Sequence, residues 1–507
     1  MDRKFGILLP VSALPSDNGI GCFSKEAYDF VDYLSMMGAS YWQILPLGQT
    51  GYGDSPYQSC STFAGNPYFI DLGRLVENGF IRNEDLPYHH MGGEISYVDY
   101  GDIYEKRYPL LKKAYENSPY AEHVKGHWCD WSYDEQRAGF EKFREENQEW
   151  LSDYSRFMAI KDFYNGKAFC EWDEGVRKRW EEPLNDITFR LTNDIRFYEF
   201  LQYMFHVHYM DLKRYANEKG IKIIGDLPIY VAYDSADTWS HPELFWLDGE
   251  GNPTEVAGCP PDAFTADGQL WGNPLYDWEY HRNTGYDWWV KRLGKAFEWY
   301  DVVRIDHFRG FEAFYAVPGN EKTARLGRWV TGPGIDFFNV MKQRLGDREI
   351  IAEDLGFLTD GVRKLLSDSG YPGMKVLEFA FYPGDKSDYL PHRYPENTVA
   401  YTGTHDNETL LGWYENAQED VREYASRYTG ISGERHTNWD FIRLLFQSKA
   451  NTVIIPLQDF LELDNEARFN TPSTMGGLNW RWRVNSQDMT EKLSGKIRDM
   501  ADLYERL

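Results

Sequence analysis

The chain has 507 residues, with 80 acidic and 54 basic side chains for a formal net charge of −26. That field repels phosphate backbones and anionic lipid, so nucleic acid and membrane surfaces are poor partners and neutral or cationic ligands are favoured. Hydrophobic residues reach 42 % and aromatics 17 %, which excludes a disordered chain and supplies many flat apolar faces of the kind sugar rings stack on.

Five cysteines (Cys22, Cys60, Cys129, Cys170 and Cys259) are widely spaced, with no CxxC pair. Neither a disulfide framework nor a zinc knuckle is expected, and a reducing cytoplasm is the simplest setting. The apolar stretch Phe5 to Leu14 is short and interrupted by Pro10, so it reads as a strand rather than a signal peptide. No run of about 18 uncharged apolar residues suggests a membrane span.

Short apolar runs that end in turn signals predict eight strands: Gly6 to Pro10, Tyr41 to Pro46, Lys222 to Leu227, Val302 to His307, Glu349 to Glu353, Lys375 to Phe381, Thr398 to Tyr401 and Thr452 to Pro456. Most are apolar on both faces, as strands between a barrel core and a helical shell must be. Helical patterns lie between several of them, at Lys25 to Met37, Gly361 to Asp368 and Asp440 to Lys449. The alternation predicts an α/β fold, a (β/α)8 TIM barrel, as one catalytic unit over residues 1–507.

The spacing is uneven. An insertion over 50–219, helical in its latter part, separates strands two and three. A second insertion over 232–294, rich in Gly, Pro, Asp and Trp, reads as a structured loop above the barrel mouth.

Four acids sit at strand ends: Asp226, Asp306, Glu353 and Asp406. A lone acid there often caps the next helix, but four on one barrel rim suggest a shared site. Arg304 shares a strand face with Asp306 and is expected to hold it ionised. Clustered carboxylates without cysteine fit either a hard-metal site or glycoside cleavage. In glycoside cleavage Asp306 suits the nucleophile. Glu353, raised by its acidic neighbours, suits the proton donor. A carboxyl separation of ~5 Å would predict retention and ~6.5 Å or more inversion. His307 and His405 adjoin carboxylates and suit sugar hydroxyls, whereas His206, His208, His89 and His90 lack metal-ligand spacing. Tyr52, Tyr57 and the stretch from Cys259 to Pro274 offer further stacking faces and hydrogen-bond groups. No Walker loop or GxGxxG motif suggests a nucleotide.

In order along the chain, Gly6-Ile7-Leu8-Leu9, Ser55-Pro56-Tyr57, Gly225-Asp226-Leu227-Pro228-Ile229-Tyr230, Gly268-Gln269-Leu270-Trp271-Gly272-Asn273-Pro274, Arg304-Ile305-Asp306-His307-Phe308-Arg309-Gly310, Ala352-Glu353-Asp354-Leu355-Gly356, Thr402-Gly403-Thr404-His405-Asp406-Asn407 and Asn479-Trp480-Arg481 resemble the 4-α-glucanotransferases of glycoside hydrolase family 77, called amylomaltases or disproportionating enzymes. The resemblance implies transfer of an α-1,4-glucan segment to the 4-hydroxyl of glucose or another glucan, with maltooligosaccharides as donors and no metal or organic cofactor. It implies a barrel without a separate C-terminal β-sandwich, which agrees with the last predicted strand ending about 50 residues before Leu507. It also implies Asp306 as nucleophile, Glu353 as acid/base and Asp406 as transition-state stabiliser. Ser55, Tyr57, Asp226, Gln269, Trp271, Asn273, Arg304, His405 and Asn479 would bind sugar. Tyr382, where the family often has an acid, and Cys259, where valine is usual, depart from its pattern. An α-glucan hydrolase and a non-catalytic glucan-binding protein are the alternatives.

Overall fold

A computed structural model describes residues 3–51, 53–86, 96–121, 132–261 (backbone alone at 132–135), 266–356, 358–384, 387–430 and 438–507. Eight strands form its centre: β1 (Lys4–Leu8), β2 (Tyr41–Gln43), β3 (Lys222–Leu227), β4 (Val302–Ile305), β5 (Glu349–Ala352), β6 (Gly373–Val376), β7 (Thr398–Tyr401) and β8 (Thr452–Pro456). They pair in parallel in chain order, and β8 returns to β1. Between β5 and β6 the Ala352 N–H donates to Pro372 O at 2.9 Å. The ring is therefore a (β/α)8 barrel, and each strand overlaps one of the predicted runs, although β6 shares only Lys375 and Val376 with the expected Lys375 to Phe381, whose Leu377–Phe379 part is a 3-10 turn. Val453, Ile454 and Ile455 of β8 are fully buried, which is why these runs do not alternate with polar residues.

The Lys25–Met37 helix shows how the shell is built. Ala27, Phe30, Val31 and Leu34 make its buried stripe, and Gly38 closes it in the left-handed conformation at φ 76°. The final helix, Glu491–Leu503, is capped by the Thr490 side chain and packs against it. Gly225 on β3 is required by close approach. A Cβ there would sit 2.1 Å from the Tyr300 ring, whose hydroxyl accepts the Leu47 N–H at 3.3 Å.

Two features differ from the expectation. Glu255–Cys259 and Gln269–Pro274, where a structured loop was expected, join Ala313–Pro318 and Arg328–Thr331 from between β4 and β5 in a four-stranded antiparallel sheet beside the barrel. Gln269–Pro274 contains Gly, Pro and Asn, which are poor in intrinsic strand preference, and its pairing is imposed by partners distant in sequence. The expected loop to Gly294 also ends early. Asp287–Trp299 is a helix whose buried Trp288, Trp289, Leu293 and Ala296 make it the barrel helix between β3 and β4. After β2 the chain forms a stack of helices, from Leu72–Glu77 to the 27-residue Thr192–Glu218. No described helix is long and apolar enough to cross a membrane.

Candidate active site

Parallel pairing decides which side chains meet at the mouth. Asp226 on β3 is in register with Arg304 on β4, so both point to the same side of the sheet. Arg304 Nη1 donates to both Asp226 carboxylate oxygens, at 2.7 and 2.6 Å, and to Asp306 Oδ1 at 3.1 Å. Ile305 and Ala352 are partners across β4 and β5, so the next residues, Asp306 and Glu353, leave adjacent strand ends side by side. Backbone bonds continue the ladder: Asp306 N–H donates to Leu227 O and Glu353 N–H to Ile305 O, both at 3.0 Å.

The Glu353 carboxylate is aimed by two backbone donors, His307 N–H at 2.7 Å and Leu355 N–H at 2.8 Å, one to each oxygen. Each oxygen keeps a second lone pair, so the group is oriented without being used up. His307 reaches this geometry by adopting φ 51°, a left-handed conformation that costs energy in a non-glycine residue.

A second chain of contacts runs through loops. Tyr57 OH donates to Asp226 Oδ2 at 2.6 Å and lies 3.4 Å from His405 Nδ1. The two rings stack at 5.0 Å, and Trp480 lies 5.9 Å from each. His405 Nε2 is 3.3 Å from Asp406 Oδ2. Asp406 is held from its other side by Asn470 Nδ2, which donates to Oδ1 at 2.6 Å, and by Arg468 Nη2, which donates to its main-chain carbonyl at 2.7 Å.

Electrostatics divides these acids. Burial raises Asp306 to about 7, helped by repulsion from Asp226 and Glu353 and opposed by Arg304. Its side chain is 29 % exposed, so solvent tempers the rise. Arg304 was expected to keep Asp306 ionised; its attraction acts in that direction, but burial outweighs it. Burial also raises Glu353, against Arg304 and the two backbone donors; burial leads there, rather than the acidic neighbours expected to. Asp406 goes the other way. Burial opposes its ionisation, but the His405 charge and the hydrogen bonds from His405 and Asn470 outweigh it and hold the carboxyl at about 2. Since 47 % of that side chain is exposed, the burial cost is the weaker side.

The remaining candidates are placed as follows. Trp271 meets His307 edge-on at 4.8 Å, and its Nε1 donates to Gln269 Oε1 at 3.1 Å. Asn273 is buried, donating to Val231 O at 2.8 Å and accepting from Gln58 at 3.4 Å, so it pins the Glu255–Pro274 hairpin to the chain after β3. Ser55 Oγ accepts the Tyr57 N–H at 3.3 Å. Asn479 bonds within its own turn, to Thr471 and Thr474. His208 Nδ1 accepts the Asp71 N–H at 3.1 Å in the interior, a structural use. Tyr52, His89, His90, Phe264 and Cys129 lie outside the described residues. Asn470 and Arg468 have no counterpart among the sequence candidates, and no spacing or motif marks them. Trp480 stood in a quoted motif without a role.

Acids clustered at the C-terminal mouth of a parallel barrel give the chain the layout of a (β/α)8 enzyme. The chain belongs to glycoside hydrolase family 77, the 4-alpha-glucanotransferases, whose sequence profile matches residues 9–490. It is thus a glycosyltransferase-type enzyme that moves segments of α-1,4-glucan. It is 46 % identical over 498 residues to a 4-alpha-glucanotransferase of Clostridium butyricum, covering 98 % of this chain and 99 % of the other. Against the Thermus thermophilus 4-alpha-glucanotransferase it is 43 % identical over the whole of both chains. Its fold superposes on an amylomaltase from Streptococcus agalactiae, solved in complex with acarbose, with TM-score 0.94 and 41 % identity over 99 % of each chain.

Proposed function

We propose that transfer proceeds by double displacement with retention, with Asp306 as nucleophile, Glu353 as acid/base and Asp406 as stabiliser. The observation that carries this is the chain of contacts that joins Asp306 and Glu353, side by side after β4 and β5, to Asp406 on the loop after β7, through Arg304, Asp226, Tyr57 and His405. In the first step an Asp306 oxygen bonds to the anomeric carbon of a glucosyl unit while Glu353 protonates the departing glycosidic oxygen. In the second, Glu353 takes the proton of an acceptor 4-hydroxyl, which displaces Asp306 and restores the α-linkage. Asp306 and Glu353 are both raised, so they titrate as a pair, and the productive form holds the one proton on Glu353. Asp406 stays ionised throughout and accepts hydrogen bonds from ring hydroxyls that strengthen as positive charge develops.

Tyr57, Trp271 and His405 would present faces and edges to the donor sugar, while Gln269, Asn273, Ser55 and Asn479 would shape the loops that hold it. Asp226 and Arg304 would position Asp306. Tyr57 comes from the insertion after β2 and Trp271 from that after β3, so the whole chain is proposed to work as one catalytic unit. A cytoplasmic setting is supported by Cys22, Cys60 and Cys170, which form no disulfide among the described residues.

Incubation with maltotriose tests the reaction. Longer oligomers together with glucose are expected; glucose and maltose without elongation would mean that water, rather than a sugar hydroxyl, resolves the intermediate.

A further inference from the structure

A separate cavity lies between the Gln148–Phe163 helix, the Ala236–Ser240 turn of helix and the start of Asp287–Trp299. It encloses about 250 Å³, close to the lower end of the ~300–1,000 Å³ usual for small-molecule sites. Ser61 also lines the inner pocket that reaches Tyr57 and Asp226, so the cavity neighbours the active site without belonging to it.

Its walls are aromatic. Phe63 lies parallel to Trp150, at 6.4 Å and 18°, and perpendicular to Trp288, at 6.1 Å and 88°. The charges around the rim already hold partners. Lys291 binds Asp287 at 2.8 Å and also Glu149, His241 lies 3.3 Å from Glu243, and Arg179 binds Asp153 at 2.8 Å. Two deeper groups are less well supplied. The Trp288 indole N–H is buried without an acceptor, in a side chain 8 % exposed. Asp237, 4 % exposed, accepts the Thr62 N–H at 2.8 Å and has no cation among its hydrogen-bond or ion-pair partners. Its carboxyl is raised to about 6, chiefly by burial.

Unmet buried donors cost stability. A ligand that fits this lining is not an anion, since the rim sets four carboxylates, Glu149, Asp153, Glu243 and Asp287, against Lys291, Arg179 and His241. It must offer a flat apolar face to the aromatic walls, and it must both accept and donate hydrogen bonds. A hydroxyl does both, and a sugar ring combines it with an apolar face. We infer that this cavity is a second carbohydrate site, which takes a terminal glucosyl unit of an α-1,4-glucan against Trp150, with hydrogen bonds at Asp237 and Trp288. The identity of that sugar rests on the transferase reading above; the cavity and its lining do not. Occupancy would anchor a glucan next to the mouth and raise its local concentration there.

Hydrogen exchange read segment by segment, on the Asp306→Asn protein with maltotetraose, tests the inference without turnover. At roughly ten times the Kd, exchange should slow about tenfold in 149–154 and 280–291 as well as in 55–58 and 403–406 around the mouth. Thr284→Trp, which places a bulky ring at the cavity rim, should abolish protection of the first pair of segments and leave the second. Tyr280→Ala, which trims an exposed wall residue, should weaken the first pair only. Protection at the mouth alone in the Asp306→Asn protein would overturn the second site and spare the catalytic assignment. Protection at the cavity alone would uphold the second site and count against the catalytic one. Protection of 149–154 and 280–291 by putrescine but not by maltotetraose would overturn the carbohydrate assignment in favour of an amine.

Discussion

The two halves of the active site are held by different means. Asp306 and Glu353 follow paired residues of β4 and β5, so their placement is inherited from the barrel ladder. Asp406 stands five residues beyond β7, on a loop, and its position comes from side chains: His405, Asn470 and, through its carbonyl, Arg468. The first half is partly buried and its acids are raised; the second is half exposed and its acid is low. Chemistry that needs a proton retained and chemistry that needs a fixed anion are thereby separated within one mouth. A rigid scaffold suits the first, and an adaptable loop suits the second, which must let sugar in and out.

Breaking the strand-end half should have the largest effect. Asp306→Asn removes the attacking oxygen and should lower kcat on maltooligosaccharides by about 10⁴-fold or more. Glu353→Gln should cost about 10²- to 10⁴-fold on the same substrates. Its defect should shrink with a donor whose leaving group needs no proton, and an undiminished defect would place the acid elsewhere.

Disturbing the loop half should cost less. Tyr57→Phe deletes the 2.6 Å bond to Asp226, and Asn470→Ala the one to Asp406. Each bond to a charged group is worth about 1.5–3 kcal/mol, so kcat/KM should fall by about 10- to 100-fold, tenfold per 1.4 kcal/mol. Assays of both variants on maltotriose read this directly. If either cost as much as Glu353→Gln, the division between ladder and loop would be wrong.

A pH series sharpens the same contrast. The folded protein keeps Asp306 protonated up to about pH 7, whereas the unfolded chain releases that proton near ~3.9. The folded state therefore binds more protons in that window, and the contribution of Asp306 to stability falls as pH rises from about 4 to about 7. Asp406, held at about 2, contributes stability that is present above ~3.9 and lost as pH falls toward 2. Asp306→Asn should thus melt about 1–3 °C above the parent at pH 8 by scanning calorimetry, with the gap closing toward pH 5. A variant less stable at pH 8 than at pH 5, relative to the parent, would show that Arg304 dominates Asp306 after all. kcat/KM should follow a bell, its acid limb set by charging Asp306 and its alkaline limb by deprotonating Glu353.

The legible parts of the molecule share one property, that local sequence and final environment agree. The barrel strands are buried on both faces, so Val453-Ile454-Ile455-Pro456 stands out as an apolar run and Val302-Val303-Arg304-Ile305 as one broken only by Arg304, and Asp306 just past the latter stands out by contrast. What escaped detection depends on distant partners. Gln269–Pro274 becomes a strand only because Glu255–Cys259 and Ala313–Pro318 complete its sheet. Asn470 matters only because its loop after β8 folds back on Asp406. The rise of Asp306 comes chiefly from burial, with Asp226 and Glu353 adding to it against Arg304, and the Arg-x-Asp spacing alone cannot show that balance.

The central assignment is tested most directly by trapping. Glu353→Gln protein treated with α-maltotriosyl fluoride, whose fluoride departs without acid help, should form the ester at Asp306 but resolve it slowly for want of a base. Peptide mapping of the quenched protein should then find the maltotriosyl group on the peptide carrying Asp306. A label on a different carboxylate, or fluoride release with inverted product and no label, would contradict the account.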